Sequence, residues 1–306
     1  MEHGVFGTGS AGPVGVGLVV LLVAFALVAV WVATHQQRLA RLGHLGGLPV
    51  IGTPLHWAAE RWEALSRPLQ TRMGVGGVAL AGLLGGLVVV GLTGIGFTVL
   101  LDDVLEGEGI ARFDQPAAAW LVAHREVWLT RALLTVTRMG NTDAQTVWVL
   151  LVCVLAAVIA RSWAPVAVGV TAGGGIGLVI VVAKHLVGRQ RPALPFAVIP
   201  VDGFSFPSGH ATGAAAVGVV CAWMLCRWVV HRWAAQVAVW AVTLTAVALI
   251  GFSRTYLGVH FVTDVLAGWM LGAAWAASVI VIASWWSRGL RTQGAITERS
   301  GVPGLD

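Results

Sequence analysis

Charged residues are scarce in this sequence. Asp, Glu, Lys and Arg make up 11% of its 306 residues, whereas 57% are hydrophobic. A soluble domain normally carries about a quarter charged residues, so this deficit excludes an ordinary soluble protein. Lysine and tyrosine occur once each, as Lys184 and Tyr256. The arginines are scattered among loops, so the net charge of +5 does not indicate a nucleic-acid partner.

Cysteine is also rare, and its pattern excludes a metal site built on thiolates. Cys153, Cys221 and Cys226 are odd in number, lie within apolar stretches and lack the spacing of metal ligands. We expect them to be small apolar fillers. No additional carboxylate cluster would bind a metal ion, so no metal and no cofactor is expected.

Long uncharged runs are abundant. Residues 14–34 and 75–101 contain no charge, and each exceeds the ~20 helical residues that cross a hydrocarbon core. Further spans are predicted at 145–160, 164–186, 208–228, 235–252 and 262–286. Because lipid offers no hydrogen bonds to the backbone, the spans should be helices. The first run lacks a basic n-region and a cleavage site, so it is read as a transmembrane helix rather than a signal peptide. The predicted fold is an all-α polytopic transmembrane bundle.

Three regions follow from this pattern. Residues 1–74 are one span and a polar linker, in which 56–72 is a candidate surface helix. Residues 75–286 hold six spans and one long loop, 102–143, whose stretch 127–139 is a second candidate interfacial helix. The polar tail 287–306 is expected to be disordered.

The number of crossings divides the loops between two faces. One face receives eleven of the 19 basic residues. They are Arg38, Arg41, Arg61, Arg67, Arg72, Arg161, Arg227, Arg232, Arg288, Arg291 and Arg299. The positive-inside rule makes this face cytoplasmic. The N-terminus would then lie outside. The Ala/Val/Gly/Arg-rich, lysine-poor composition is typical of a GC-rich bacterium, so the expected location is a bacterial plasma membrane.

Polar clusters interrupt the apolar sequence at three places. Lys184–Pro192 (KHLVGRQRP) ends the fourth span, where a lone lysine also fits a snorkelling cation. Pro207–His210 (PSGH) starts the fifth span, and a helix start with Ser and Gly is a natural anion site. An ordinary helix cap with an interfacial histidine is the alternative.

The third cluster is Ser253–Asp264 (SRTYLGVHFVTD), between the last two spans. His260 and Asp264 are four residues apart and share one face of a helix. The carboxylate can hold one imidazole nitrogen and leave the other free for attack or proton transfer. A structural polar pair is the alternative. Crossing parity places all three clusters on one face, the outer one, and together they suit a bound phosphate.

The three clusters resemble the signatures K-x6-R-P, P-S-G-H and S-R-x5-H-x3-D of the type-2 phosphatidic acid phosphatase (PAP2) family. The matching positions are Lys184, Arg191, Pro192, Pro207, Ser208, Gly209, His210, Ser253, Arg254, His260 and Asp264. The resemblance covers roughly 75–286 and implies a six-helix core, so the first span and linker are additions to it.

The resemblance also implies roles for these residues. His260 would attack phosphorus and form a phosphohistidine, Asp264 would orient it, and His210 would act as general acid and then base. The phosphate would be held by Lys184, Arg191, Ser208, Gly209 and Arg254, without a metal. His185 and Arg189 lie outside the signatures and are expected to make surface or headgroup contacts. Tyr256 is expected to anchor the chain at the interface.

The implied activity is hydrolysis of a lipid phosphate in the bilayer at the extracytoplasmic face. Polyprenyl diphosphate, phosphatidylglycerophosphate and phosphatidic acid all fit, because the motifs read only the phosphoryl group. A phosphotransferase that uses a lipid or sugar acceptor is one alternative, and a non-enzymatic channel or transporter is another. The sequence leaves the oligomeric state open.

Overall fold

The computed structural model describes residues 12–35, 77–193 and 196–300, so the candidate surface helix at 56–72 lies outside the described residues. The described residues form nine α-helices. In order they are α1 (Pro13–Thr34), α2 (Gly77–Glu106), α3 (Asp114–Ala123), α4 (Val127–Arg138), α5 (Thr142–Ala160), α6 (Ala164–Val187), α7 (Gly209–Val229), α8 (Trp233–Tyr256) and α9 (Val262–Ser300). Single π-helical turns lie within α6 at Thr171–Gly175 and at the end of α7 at Leu225–Val229.

Seven of these helices are long and apolar enough to cross a membrane, and they coincide with the seven predicted spans. They are α1, α2, α5, α6, α7, α8 and the part of α9 up to Trp286. Their large apolar side chains remain exposed on the outside of the bundle, as lipid-facing residues should. The all-α prediction, with six core helices and one additional N-terminal helix, is confirmed.

Helix α7 occupies the centre of the bundle. More than half of its most apolar stretch is buried, a larger share than in any other described span. Small residues on α9 allow α7 to approach closely: a β-carbon at Gly272 would lie 2.5 Å from Thr212 O, and one at Gly268 would lie 2.9 Å from Thr212 Oγ1. Helices in lipid associate through close van der Waals packing, which such small residues permit. The start of α7 is thereby fixed beside the start of α9.

Helix α1 packs antiparallel to α8. At one end Trp233 Nε1 donates to Val32 O at 3.2 Å. At the other end Val14 shares a buried cluster with Tyr256 and Leu257. The N-terminus of α1 therefore lies at the same end of the bundle as the C-terminus of α8.

The long loop between α2 and α5 contains two helices, and α4 corresponds to the predicted interfacial stretch 127–139. One side of α4 buries Leu129 and Leu133, each 1% exposed, in the cluster with Tyr256. Its apolar side therefore packs against the protein, because the end of α8 offers a matching apolar surface. This placement differs from the expected position on the membrane.

Helix α9 continues to Ser300. The expectation of a disordered tail from Ser287 is therefore wrong for residues 287–300. The stretch 287–300 contains no proline that would end the helix, and the first proline after it is Pro303.

Candidate active site

The three polar segments meet at one end of the bundle. Backbone hydrogen bonds tie them together, from Ser208 N to Asp264 O at 2.9 Å and from Ser205 N to Arg189 O at 2.8 Å. Arg191 Nη1 donates to Val259 O at 2.8 Å and joins the first segment to the third. The predicted convergence of these segments is thus present in the structure.

His260 and Asp264 form a buried pair. His260 is 3% exposed and Asp264 is fully buried. His260 Nδ1 lies 3.4 Å from Asp264 Oδ2, and the same oxygen accepts the Phe261 N–H at 2.8 Å. On the other side of the ring, Arg191 Nη1 lies 3.1 Å from His260 Nε2. An arginine can only donate, so Nε2 has the role of acceptor and Nδ1 carries the proton toward Asp264. The long Nδ1–Oδ2 distance is compatible with a catalytic hydrogen bond that tightens when substrate binds.

Burial decides the ionisation of His260. Removal from water lowers the pKa of His260 to about 4, although the hydrogen bond and the charge of Asp264 oppose this effect. The imidazole is therefore neutral near pH 7, with an available lone pair on Nε2. Burial likewise lowers the pKa of Arg191, but an arginine remains charged at neutral pH.

Three cations, Lys184, Arg191 and Arg254, lie around the pair of His260 and Asp264. Lys184 Nζ donates to Phe204 O from the last turn of α6. Arg254 Nη1 donates to Thr137 Oγ1 at 2.8 Å from the last turn of α8. The charges of Arg254, Arg191 and Lys184 all act on the His210 side chain. Such a concentration of positive charge suits an anion with several oxygen atoms.

Two buried polar atoms at this site have no hydrogen-bond partner within the described part of the chain, namely Ser208 Oγ and Arg254 Nε. Ser208 is the N-cap of α7, yet its side chain makes no capping bond. Buried donors without a partner are costly, and a phosphate oxygen would satisfy them. A β-carbon at Gly209 would lie 3.9 Å from Lys184 Cε, so the start of α7 lies against the lysine. A helix N-terminus itself favours an anion.

His210 is held by a residue that sequence reasoning missed. Its Nε2 lies 2.9 Å from Asn141 Oδ1, at the N-cap of α5. Gly140 packs against the ring, since a β-carbon there would lie 2.8 Å from His210 Cδ2. The only available signal was that Asn141 starts an apolar span, which is equally typical of a plain cap.

Arg189 corrects a prediction. Its Nη1 donates to Asp264 Oδ1 at 2.6 Å and its Nη2 donates to Asp114 Oδ2 at 2.7 Å. Asp114 also accepts hydrogen bonds from the N–H and the hydroxyl of Thr263. The expectation of surface or headgroup contacts is wrong, because two buried carboxylates attract the guanidinium inward.

Tyr256 corrects another prediction. It is fully buried, and its hydroxyl accepts the Glu126 N–H at 2.7 Å. Its backbone carbonyl accepts from Arg125 Nε at 3.2 Å, and Arg125 Nη2 donates to Phe196 O. Burial lowers the pKa of Arg125. Tyr256 therefore joins α8 to the loop before α4, and it is not an interfacial anchor.

The site offers no cluster of metal ligands among the described residues. Within the ranges that the structure describes, no group of three or more His, Cys, Asp or Glu side chains is placed to hold a metal ion. The polar groups that do converge are cations and hydrogen-bond donors, which suit an anion.

Comparison with known proteins agrees with this geometry. The chain is 29% identical over 177 residues to phosphatidylglycerophosphatase B of Bacillus subtilis (strain 168), covering 58% of this chain and 86% of that protein. It is 30% identical over 102 residues to an undecaprenyl-diphosphatase of Sulfolobus acidocaldarius, covering 30% of this chain and 42% of the relative. The crystal structure of a transmembrane PAP2-type phosphatidylglycerolphosphate phosphatase from Bacillus subtilis matches with a TM-score of 0.58 and 26% identity, over 62% of this chain and 93% of that one. Residues 162–288 match the model of the PAP2 superfamily, and this part of the chain is therefore similar to that superfamily.

Proposed function

We propose that this chain is a lipid phosphatase whose nucleophile is His260. The observation that carries the proposal is the neutral His260 Nε2, which lies beside Arg191 with its other nitrogen directed at Asp264. The relatives named as phosphatases of phosphatidylglycerophosphate and undecaprenyl diphosphate support a lipid phosphate as substrate.

The reaction proceeds in two steps. His260 Nε2 attacks phosphorus, and the bond from phosphorus to the leaving oxygen breaks while His210 gives that oxygen its proton. Water then attacks the phosphohistidine, His210 takes the proton of the water, and phosphate leaves with His260 restored. Asp264 holds Nδ1 and stabilises the positive charge that the ring gains.

The remaining site residues stabilise the phosphoryl oxygens. Lys184, Arg191 and Arg254 supply charge, while Ser208 Oγ and the N–H of Gly209 supply hydrogen bonds. These cations and donors supply the charge stabilisation that a metal ion provides in other phosphoryl transfer enzymes. Phosphate release is accordingly expected to be independent of metal.

The site is proposed to face the outside of the membrane, with residues 75–286 as the catalytic domain. Arg161, Arg227 and Arg232 lie at the opposite end of the spans from the site. By the positive-inside rule, this asymmetry supports the orientation. Labelling intact cells with a membrane-impermeant thiol reagent tests it. A cysteine introduced at the exposed Gly107 should react on intact cells, whereas one at Arg161 should react only after lysis. The reverse pattern would place the site inside.

The central experiment compares wild type with His260→Ala in detergent. Wild type should release phosphate from phosphatidic acid, phosphatidylglycerophosphate or polyprenyl diphosphate, with or without EDTA, and His260→Ala should release none. Substrate labelled with 32P should leave an acid-labile label on the wild-type protein. Full turnover by His260→Ala would refute the nucleophile, loss of activity in EDTA would refute metal independence, and transfer of label to a lipid or sugar hydroxyl would favour a phosphotransferase.

A further inference from the structure

A groove of about 580 Å³ lies between α1 and α8. Its lining is almost wholly apolar and includes Leu22, Ala26 and Ala33 from α1 and Ala241 and Leu249 from α8. The volume lies within the ~300–1,000 Å³ range of ordinary ligand sites. Alanines at helical spacing on both helices keep the groove open where larger side chains would close it.

The additional helix that forms this groove is held at both ends. Glu126 Oε1 accepts the N–H of Gly15 at 2.8 Å near the start of α1. Trp233 Nε1 donates to Val32 O near its end. Because α1 is fixed at both ends, the space between α1 and α8 is a built feature of the fold.

One end of the groove lies beside the site, separated from His210 by Gly140. Met139 and Ile250 line this end. Gly140 lies between the groove and His210, since a β-carbon there would be 2.6 Å from Ile250 Cγ2 and 2.8 Å from His210 Cδ2. His210 is the group assigned to protonate the leaving oxygen, so the lipid portion of a substrate lies on this side of the phosphate.

The groove is long enough for a lipid chain. Its lining on α8 extends from Ala234 to Ile250, which corresponds to about 24 Å at 1.5 Å per residue. A hydrocarbon core is ~30 Å thick, so the groove runs from beside the site past the middle of the membrane.

We propose that this groove holds one long hydrocarbon chain of the lipid phosphate whose headgroup is bound at the His260 site. This inference rests on the proposed function. Since lipid tails are as apolar as the groove, binding there gains little hydrophobic energy over the bilayer. The gain is in orientation, because a chain fixed beside His210 aligns the leaving oxygen with the acid.

Two alanines provide a matched test. Ala26 lines the groove, whereas Ala24 is exposed on the opposite side of the same helix. Phosphate release is measured from dioleoyl and dioctanoyl phosphatidic acid. Ala26→Phe should lower kcat/KM for the dioleoyl lipid roughly tenfold and leave the dioctanoyl lipid nearly unchanged, because a short chain ends before Ala26. Ala24→Phe should change neither value. Equal loss for both lipids, or no loss for either, would overturn the proposal.

Photolabelling provides a second readout that does not depend on turnover. Phosphatidic acid with a diazirine at a chain end is added to His260→Ala protein in nanodiscs, and the labelled peptides are mapped by mass spectrometry. Label is expected within 22–33 or 237–249. Label elsewhere, or equal labelling by a diazirine phosphatidylcholine, would overturn the proposal, as would a change of oligomeric state in Ala26→Phe. If wild type released no phosphate from any lipid, the proposed function would be wrong. The labelling would still show whether a lipid chain occupies the groove.

Discussion

Arg189 Nη1 lies 2.6 Å from Asp264 Oδ1, on the side of the carboxylate that faces away from His260. The other oxygen, Oδ2, accepts from Phe261 N and faces His260 Nδ1. Both oxygens of Asp264 therefore have hydrogen-bond partners. The other terminal nitrogen of Arg189, Nη2, is paired with Asp114. The orientation of His260 thus depends on a chain of contacts that begins in α3, far from the sequence motifs.

Replacing Arg189 with lysine should impair catalysis without weakening substrate binding. A lysine cannot bridge two carboxylates with two prongs, so Asp264 would be free to turn. Partners that orient metal ligands typically contribute ~10–100-fold to activity, and a partner that orients Asp264 should act in a similar way. We expect kcat to fall by about this factor while KM changes little, as measured with a soluble short-chain lipid phosphate.

The exposed Arg131 on α4 offers the control for this variant. Arg131→Lys should preserve both kcat and KM. A rise in KM for Arg189→Lys at unchanged kcat would show that Arg189 binds the substrate rather than Asp264.

Replacing Ser208 with alanine should separate activity from stability. Its buried Oγ has no partner among the described residues, so removing it deletes no internal hydrogen bond and should not lower the melting temperature. If this hydroxyl binds a phosphoryl oxygen, kcat/KM should fall ~10²-fold or more. Phosphate release and thermal unfolding in the same detergent measure both effects.

Ser205 is the matched control, since its Oγ donates to Gln190 O at 3.0 Å. Ser205→Ala should cost about 1 kcal/mol of stability and retain most activity. A Ser208→Ala protein that is as active as wild type would exclude Ser208 from phosphate binding.

The pH dependence should report the buried His260. Its pKa of about 4 lies below the ordinary 6.5, so the proposed nucleophile remains neutral well below neutral pH. On the acid side of the pH profile, the fall in kcat/KM that is caused by protonation of the enzyme should be centred near pH 4. The second ionisation of the substrate phosphate, near pH 6, is located separately by 31P NMR. An enzyme limb near 6.5 would indicate that His260 is solvated.

Stability should show the same ionisation with a defined sign. Because the pKa of His260 is lower in the native protein than in the unfolded chain, the unfolded chain binds a proton between about pH 4 and 6.5 and the native protein does not. The contribution of His260 to stability should therefore decline as the pH falls from about 6.5 toward 4, and it should be flat above that window. In His260→Ala this part of the decline should be absent, as measured by the pH dependence of the melting temperature.

The membrane fold and the motif residues were predictable because their signals are local. A charge-free run of about 20 residues has few structural solutions, and Lys184 or His260 stands out within such a run. The role of Arg189 carried no local signal, since Asp114 and Asp264 lie 75 residues away on either side. Tyr256 was misread because an amphipathic ring suits an interface as well as a buried contact. Only the packing of α4 on α8 distinguishes the two.

The position of α1 was equally hidden from sequence. Nothing in an apolar run indicates which helix it contacts, because packing in lipid depends on shape more than on polarity. The contact relies on Gly15, where a β-carbon would lie 2.4 Å from Trp128 Cζ2 and 2.5 Å from Glu126 Oε2. Glycine at this position lets the first turn of α1 reach the carboxylate.

Replacing Gly15 with valine should therefore detach the start of α1. Overpacking and loss of the bond to Glu126 should together cost ~1–3 kcal/mol, measured as a lower unfolding temperature in detergent. At Gly17 a β-carbon would meet no neighbouring atom within 4 Å. Gly17→Val therefore changes the helix propensity as Gly15→Val does, but without the clash. Valine favours a helix slightly more than glycine does, and Gly17→Val should be neutral or mildly stabilising. Since the two variants differ only in the contact, equal unfolding temperatures would mean that α1 is not held by Glu126.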